Sequence, residues 1–320
     1  MRRILRWSAI AILAAVVIGF IAGYTPDTDP RTMRARYGNA QSQFVDIGNG
    51  LKVHVRDEGA RTAPAVILVH GSNASLHTWE PWVVRLGKKY RLITLDMPGH
   101  GLTGPDPGRD YHYARFVEVV DAVARRIGVD RFAIGGNSMG GGIAWHYALV
   151  HPQKVSALIL INAAGVPEWQ STKNPIGFQI ARTPVIRDLA KYITPRSIIA
   201  SSLDTSVANK SVVTDAAIDR YWNLLRYPGN RQATLDRFAL VHNVEPATAV
   251  AMARIKVPTL VMWGQEDGLI PVSSARWFAD KIAGARLVVY PGIGHIPMEE
   301  SPDRSARDLD AFLSAVTKAG

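Results

Sequence analysis

Three widely spaced polar residues carry the chemistry that this sequence can perform. Ser138 stands in Gly136-Asn137-Ser138-Met139-Gly140, between an apolar strand-like run (RFAIGG, 131–136) and a helix-like run (GGIAWHYAL). A serine on a sharp strand-to-helix turn must hold strained backbone angles, and glycines two residues to either side remove Cβ atoms that would clash in so tight a bend. The helix that starts there aims its free N–H groups and its dipole at the same point, which favours developing negative charge. A serine hydroxyl becomes a useful nucleophile only when a base takes its proton. Of nine histidines, His54 falls in a strand, His77 and His112 in polar loops, His146 in the helix after Ser138 and His151 in the His-Pro that ends it, and each reads as structural. His295 differs. It lies in YPGIGHIPMEESP, on a Gly-flanked loop after the last apolar strand and just before the acidic pair Glu299 and Glu300. The remaining need is an acid to orient the imidazole and stabilise its cation. The loop after TLVMWG offers Asp267, followed by Gly268 in a tight turn, with Glu266 as the alternative. The chain order Ser138, Asp267, His295 matches one of the known triad orders and excludes the other two. Ahead of all three, His70-Gly71-Ser72 follows an apolar run, where the Ser72 N–H would meet the Met139 N–H to bind an oxyanion.

These residues need a scaffold, and the hydrophobic pattern supplies one. FVDIG and LKVHVRD flank a Gly-Asn-Gly turn and predict an opening antiparallel hairpin. AVILVH (65–70), RLITLD (91–96), RFAIGG (131–136), SALILIN (156–162), TLVMWG (259–264) and RLVVY (286–290) are too uniformly apolar for a sheet wetted on one face. Helical patterns alternate with them. In YARFVEVVDAVARRI, Phe116, Val119, Val120, Val123 and Ile127 recur at three and four before Gly128. The expectation is an α/β fold with a mostly parallel eight-stranded sheet. Between Val166 and about residue 250 the alternation stops, and proline-punctuated helical stretches such as RTPVIRDLAKYI and TDAAIDRYWNLLRYPG take over. This reads as a helical cap over the carboxyl ends of the strands, with core segments at 43–165 and 251–320.

The first residues form a separate unit. Trp7 to Tyr24 (WSAIAILAAVVIGFIAGY) is eighteen residues without a charge, preceded by Arg2, Arg3 and Arg6. As a helix it would extend roughly 27 Å, enough to cross a slightly compressed bilayer core. A membrane anchor or a signal helix over 1–24 is expected, and the lack of a good small-x-small cleavage pair favours retention. Basic residues before the run and Asp27 and Asp29 after it direct the body of the chain to the periplasm or exterior, with a linker over 25–42. Every candidate for chemistry lies beyond residue 70, so removal of the first thirty is expected to leave turnover unchanged. The chain of 320 residues has no cysteine, which excludes a disulfide framework, a thiolate metal site and a cysteine nucleophile. The net charge of +10 is scattered, with five of the arginines before residue 35, and shows no basic-aromatic interleaving, so no nucleic-acid partner is expected.

From about residue 43 to 317 the chain resembles the α/β-hydrolase superfamily, in its serine-nucleophile branch with a helical cap. The resemblance rests on the hairpin, His70-Gly71, LDMPGHG (95–101), GNSMGG (136–141), WGQEDGLIP (263–271) and GIGHIPMEESP (292–302), in that order. It implies Ser138 as nucleophile, Asp267 as acid, His295 as base, and Ser72 and Met139 as backbone oxyanion donors, with no metal or organic cofactor. A serine at 138 argues against the aspartate-nucleophile epoxide hydrolases and haloalkane dehalogenases. GNSMGG and the HGS turn are similar to the meta-cleavage-product carbon–carbon hydrolases, but Ile296 stands where those carry tryptophan, and HGSNAS replaces their HGxGPGA loop. The expected activity is therefore hydrolysis of a carboxylic ester with an apolar portion, as in a carboxylesterase or lipase, and carbon–carbon hydrolysis is the alternative.

Overall fold

The computed structural model describes residues 2–167, 180, 183–240 and 246–319. The part of the expected cap over 168–179, with Pro175, lies outside the described residues, as do 181–182 and 241–245. Eight strands form one sheet: β1 (Ser42–Asp46), β2 (Lys52–Glu58), β3 (Ala65–Val69), β4 (Arg91–Leu95), β5 (Phe132–Asn137), β6 (Val155–Ile161), β7 (Thr259–Gly264) and β8 (Arg286–Tyr290). Their spatial order is β1-β2-β4-β3-β5-β6-β7-β8. β1 and β2 form the expected antiparallel hairpin, with Val45 opposite Val53, and β2 runs antiparallel to β4. From β4 to β8 every neighbouring pair is parallel.

The continuous apolar strands are explained by cover on both faces. Ile67, Val69, Ile134, Leu158, Leu160, Val261 and Trp263 point to one side, and Val66, Leu68, Ala133, Ile159, Ile161, Leu260 and Met262 to the other. Helices α3 (Glu80–Leu86), α4 (Tyr113–Arg126) and α5 (Met139–Val150) belong to the first half of the core. Phe116, Val119, Val120 and Val123 of α4 are buried as their spacing predicts, and Gly128 just beyond takes a positive φ of 66°. Between β6 and β7 come α6 (Pro184–Ala190), α7 (Arg196–Ser206), α8 (Asp215–Leu225), α9 (Asn230–Leu240) and α10 (Ala249–Ala253). The core closes with α11 (Ser273–Lys281), α12 (Pro297–Glu300) and α13 (Pro302–Ala319), whose Leu309, Phe312 and Leu313 pack beside Trp82 and Leu86 of α3.

The N-terminal region departs from expectation in two ways. Arg2–Gly23 is one helix, α1. Among the described residues, however, no helix is long and apolar enough to cross a membrane. The side chains of residues 9, 11–13, 15 and 16, in the middle of the apolar run, lie outside the described set. The expected spanning helix therefore rests on the sequence alone. Secondly, the segment read as linker holds a helix, α2 (Pro30–Tyr37). Asp29 caps it by accepting from the Thr32 N–H at 2.7 Å, and Pro30 occupies the first turn, a start signal that the periodicity reading passed over. Met33 of α2 is buried against Leu102, Leu224 and Tyr227. The preceding residues dock on the cap. Thr25 N–H donates to Tyr192 O at 2.7 Å, and Thr28 N–H to Arg226 O at 2.9 Å. Arg231 reaches Thr25 O at 2.7 Å and Asp27 Oδ1 at 2.6 Å.

Candidate active site

Ser138 follows the last residue of β5 and precedes α5, with φ 54° and ψ −118°. The two glycines of the motif are required by contact as well as by curvature. A Cβ on Gly136 would lie 2.1 Å from Gly140 O, and one on Gly140 would lie 2.0 Å from Val69 O. The turn is thereby pressed against the end of β3, where His70-Gly71-Ser72 begins. A Cβ on Gly71 would sit 3.2 Å from the Ser138 Cβ, so the Ser72 loop passes close to the serine. His70 anchors that loop from beneath. Its Nδ1 donates to Gly71 O at 2.7 Å and its Nε2 accepts from the Met97 N–H at 3.0 Å. Burial pushes the His70 pKa down, against the pull of Asp96, which suits a neutral ring in this double role.

Asp267 and His295 come from the loops after β7 and β8, adjacent in the sheet, so a short parallel register brings them together. His295 Nδ1 lies 2.7 Å from Asp267 Oδ2, and both residues are nearly buried. With the shared proton on Nδ1, Nε2 is left as the acceptor that a general base needs. Asp267 is held in turn by the N–H groups of Leu269 (2.8 Å) and Ile270 (3.1 Å) and by Asn162 Nδ2 (2.6 Å). Glu266, the alternative acid, is exposed.

Two asparagines missed by the sequence reading complete this frame. Asn162, at the end of β6 with φ 45°, joins Asp267 to the strand ends by also accepting from the Gly264 N–H at 3.3 Å. Asn137 Nδ2 donates to the His295 carbonyl at 2.9 Å, tying the residue before the serine to the histidine loop. The acidic pair after His295 fastens that loop to the cap. Glu300 accepts from the N–H groups of Gly294 and Ile296 on one side and from those of Ala208 (2.8 Å) and Asn209 (2.9 Å) on the other. Glu299 takes Arg220 of α8 at 2.9 Å and the Tyr221 hydroxyl at 3.2 Å.

Of the other histidines, His54 pairs with Asp96 at 2.7 Å inside the core. Burial raises the Asp96 pKa, but the His54 hydrogen bond and nearby imidazoles outweigh it and hold the carboxyl well below its ordinary range. His77, expected in a polar loop, is buried and bonded to Ser75 and to Tyr37 O, because α2 folds back over it.

Ser72, Ser138, Met139 and His295 all line one cavity of about 480 Å³. The helices between β6 and β7 line it with apolar side chains, among them Ile198, Ile199, Leu203, Leu235 and Phe238. Ile193, Thr194 and Arg231, which border the docked residues 23–27, belong to its wall.

The fold and this arrangement agree with the family match: a model described as alpha/beta hydrolase fold covers residues 64–302, and the chain belongs to that family. Among solved structures, it is similar to a membrane phospholipase A described as a bacterial virulence factor, at 26% identity and a TM-score of 0.76, with 99% of each chain covered. Among curated proteins it is 28% identical to the monoacylglycerol lipase abhd6-A of Xenopus laevis, over 86% of this chain and 83% of the relative. It is also 26% identical to the 2-hydroxymuconate semialdehyde hydrolase of a Pseudomonas strain, over 88% of this chain and 99% of the relative.

Proposed function

We propose that the protein is a serine hydrolase that cleaves carboxylic esters with an apolar portion through an acyl-enzyme intermediate. The observation that carries this reading is the 2.7 Å His295–Asp267 bond at a cavity shared with a serine held in a left-handed turn. Ser138 Oγ attacks the ester carbonyl carbon while His295 Nε2 takes its proton. The N–H groups of Ser72 and Met139 stabilise the oxyanion, and Asp267 stabilises the imidazolium. His295 then protonates the departing alcohol. A water molecule, deprotonated by the same nitrogen, hydrolyses the acyl-enzyme and restores Ser138. The apolar cap wall suits an acyl chain, and the likeness to a phospholipase and a monoacylglycerol lipase points the same way. The carbon–carbon hydrolase reading draws on the likeness to the semialdehyde hydrolase. Ile296 in the cavity wall, in place of tryptophan, counts against it.

The charge-free run over 7–24 and the arginines before it support a location at the inner membrane, with the catalytic body in the periplasm or exterior. Purified protein should turn over p-nitrophenyl esters and take up a fluorophosphonate at Ser138. Failure of both, with turnover of a dienoate ketone, would replace the ester reading by the carbon–carbon one. Fractionated cells should hold the full-length chain in a membrane pellet that high salt does not release. A shorter soluble chain beginning near Tyr24 would mark a cleaved signal instead.

A further inference from the structure

Four arginines are buried among the described residues: Arg56, Arg91, Arg231 and Arg237. Three have a carboxylate within reach, Glu80 at 2.7 Å for Arg56, Asp57 at 2.8 Å for Arg91 and Asp27 at 2.6 Å for Arg231. Arg237, on α9, differs in having no carboxylate partner among the described residues, although it is only 6% exposed. Its Nη1 donates to Ser72 Oγ at 2.7 Å and its Nη2 to Asn73 Oδ1 at 3.0 Å. The guanidinium lies over the Phe238 ring, 4.6 Å from the centroid. Its Nε is buried without a partner among the described residues, and so is the Tyr111 hydroxyl. Both residues line the cavity that holds Ser138 and His295. Burial pushes the Arg237 pKa down to about 10, with the phenols of Tyr113 and Tyr111 opposing the shift, so the group stays cationic at neutral pH.

A buried cation with no counter-ion among the described residues is costly. An apolar acyl chain would not offset that charge. An anionic group entering the cavity would. It would meet the Arg237 guanidinium where that side chain lines the cavity, in a charge-assisted contact in a water-poor site. Because Arg237 already holds Ser72, the residue whose N–H serves the oxyanion, the anion must be carried close to the scissile carbonyl.

We propose that Arg237 recognises an acidic substituent, carboxylate or phosphate, carried near the scissile ester, so that the substrates are anionic esters rather than wholly neutral ones. This rests on the ester-hydrolase reading above and adds the substrate's charge to it. Arg237 acts here as a specificity residue.

The test uses full-length protein and two substrate pairs, the 4-nitrophenyl monoester of glutaric acid against its methyl-ester counterpart, and 1-acylglycerol 3-phosphate against 1-acylglycerol. The wild type should prefer the acidic member of at least one pair in kcat/KM, by roughly tenfold to a hundredfold, the range of a charge-assisted bond. The pair that shows the preference separates carboxylate from phosphate. Arg237→Gln should bring that ratio close to one, whatever it does to the neutral member, and Arg237→Lys should keep part of it. Glutarate or glycerol 3-phosphate should compete with a neutral ester in the wild type and not in Arg237→Gln. Normal turnover of neutral esters by the wild type with no acidic preference in either pair would overturn the proposal, even if Arg237→Gln failed to fold. An equal loss on both members in Arg237→Gln, with the ratio retained, would overturn it too, leaving Arg237 as a clamp on the Ser72 loop. No turnover of any ester and no fluorophosphonate label at Ser138 would refute the ester-hydrolase reading itself, and this proposal with it.

Discussion

Glu300→Gln replaces one carboxylate oxygen by an NH2 group at a side chain only 5% exposed. Oε2 accepts from Ala208 N (2.8 Å), Asn209 N (2.9 Å) and Gly294 N (3.0 Å), and Oε1 from Gly294 N (3.1 Å) and Ile296 N (3.2 Å). In the better amide orientation the oxygen keeps the Oε2 position, and the NH2 group faces the Ile296 N–H, donor against donor. That orphaned donor costs about 1–3 kcal/mol. The three bonds that remain lose the assistance of a full charge, about 0.5–1 kcal/mol each. The total is about 2.5–6 kcal/mol, which for a chain of this size lowers Tm by about 4–9 °C. Gly294 and Ile296 flank His295, so the same change loosens the proposed general base, and kcat should fall roughly tenfold with KM little altered. Thermal unfolding by circular dichroism and steady-state p-nitrophenyl ester kinetics read the two effects. Glu266→Gln, at an exposed glutamate, is the control and should leave Tm within about 1 °C. A Glu300→Gln protein within about 2 °C and twofold of wild type would refute the idea that this carboxylate holds the histidine loop to the cap.

If Ser138 and His295 act as proposed, Ser138→Ala and His295→Ala should each lower kcat by roughly 10³-fold or more, because a nucleophile and its base act as a unit, and Ser138→Ala should abolish fluorophosphonate labelling. Wild-type rates in His295→Ala would remove it as the base. Removal of residues 1–30 strips Thr25 and Asp27 from Arg231, a cavity-lining arginine, so the truncated protein should melt several degrees lower and show a raised KM. Unchanged Tm and KM would restore the simpler expectation from the sequence. Burial lowers the pKa of His70, of His100 and of His77, the last to about 4, whereas the unfolded chain titrates near the ordinary 6.5. Between those values the unfolded state binds protons that the folded state refuses. Stability should therefore be full above about pH 6.5 and fall as pH drops toward 4, by up to about 1.4 kcal/mol per pH unit for each such histidine. A denaturation midpoint that is flat across this window would count against buried neutral rings.

What the sequence determined by itself is local or nearly so. A strand covered on both faces must be apolar throughout, and one written that way, as in AVILV or TLVMWG, is legible without knowing its neighbours. The glycines around Ser138 announce a bend that few other residues tolerate, and a histidine and an aspartate in the loops ending the last two strands suggest their own meeting. Even the start of α2 was written in Asp29 and Pro30, although reading for periodicity alone missed it. Other features depended on which distant residues the fold brings together. Nothing near Arg237 in the chain tells that Ser72 will lie 2.7 Å away, or that no described carboxylate will face it. Nothing near Glu300 tells that Ala208 and Asn209 of the cap will turn their N–H groups toward it. Asn162 is an unremarked strand end until β7 is laid beside β6 and Asp267 comes within 2.6 Å. The division has a physical reason. Hydrophobic period and backbone strain are properties of a few consecutive residues, whereas the pairing of buried charges and polar groups is decided only when burial removes water and leaves each group with whatever neighbour the packing supplies.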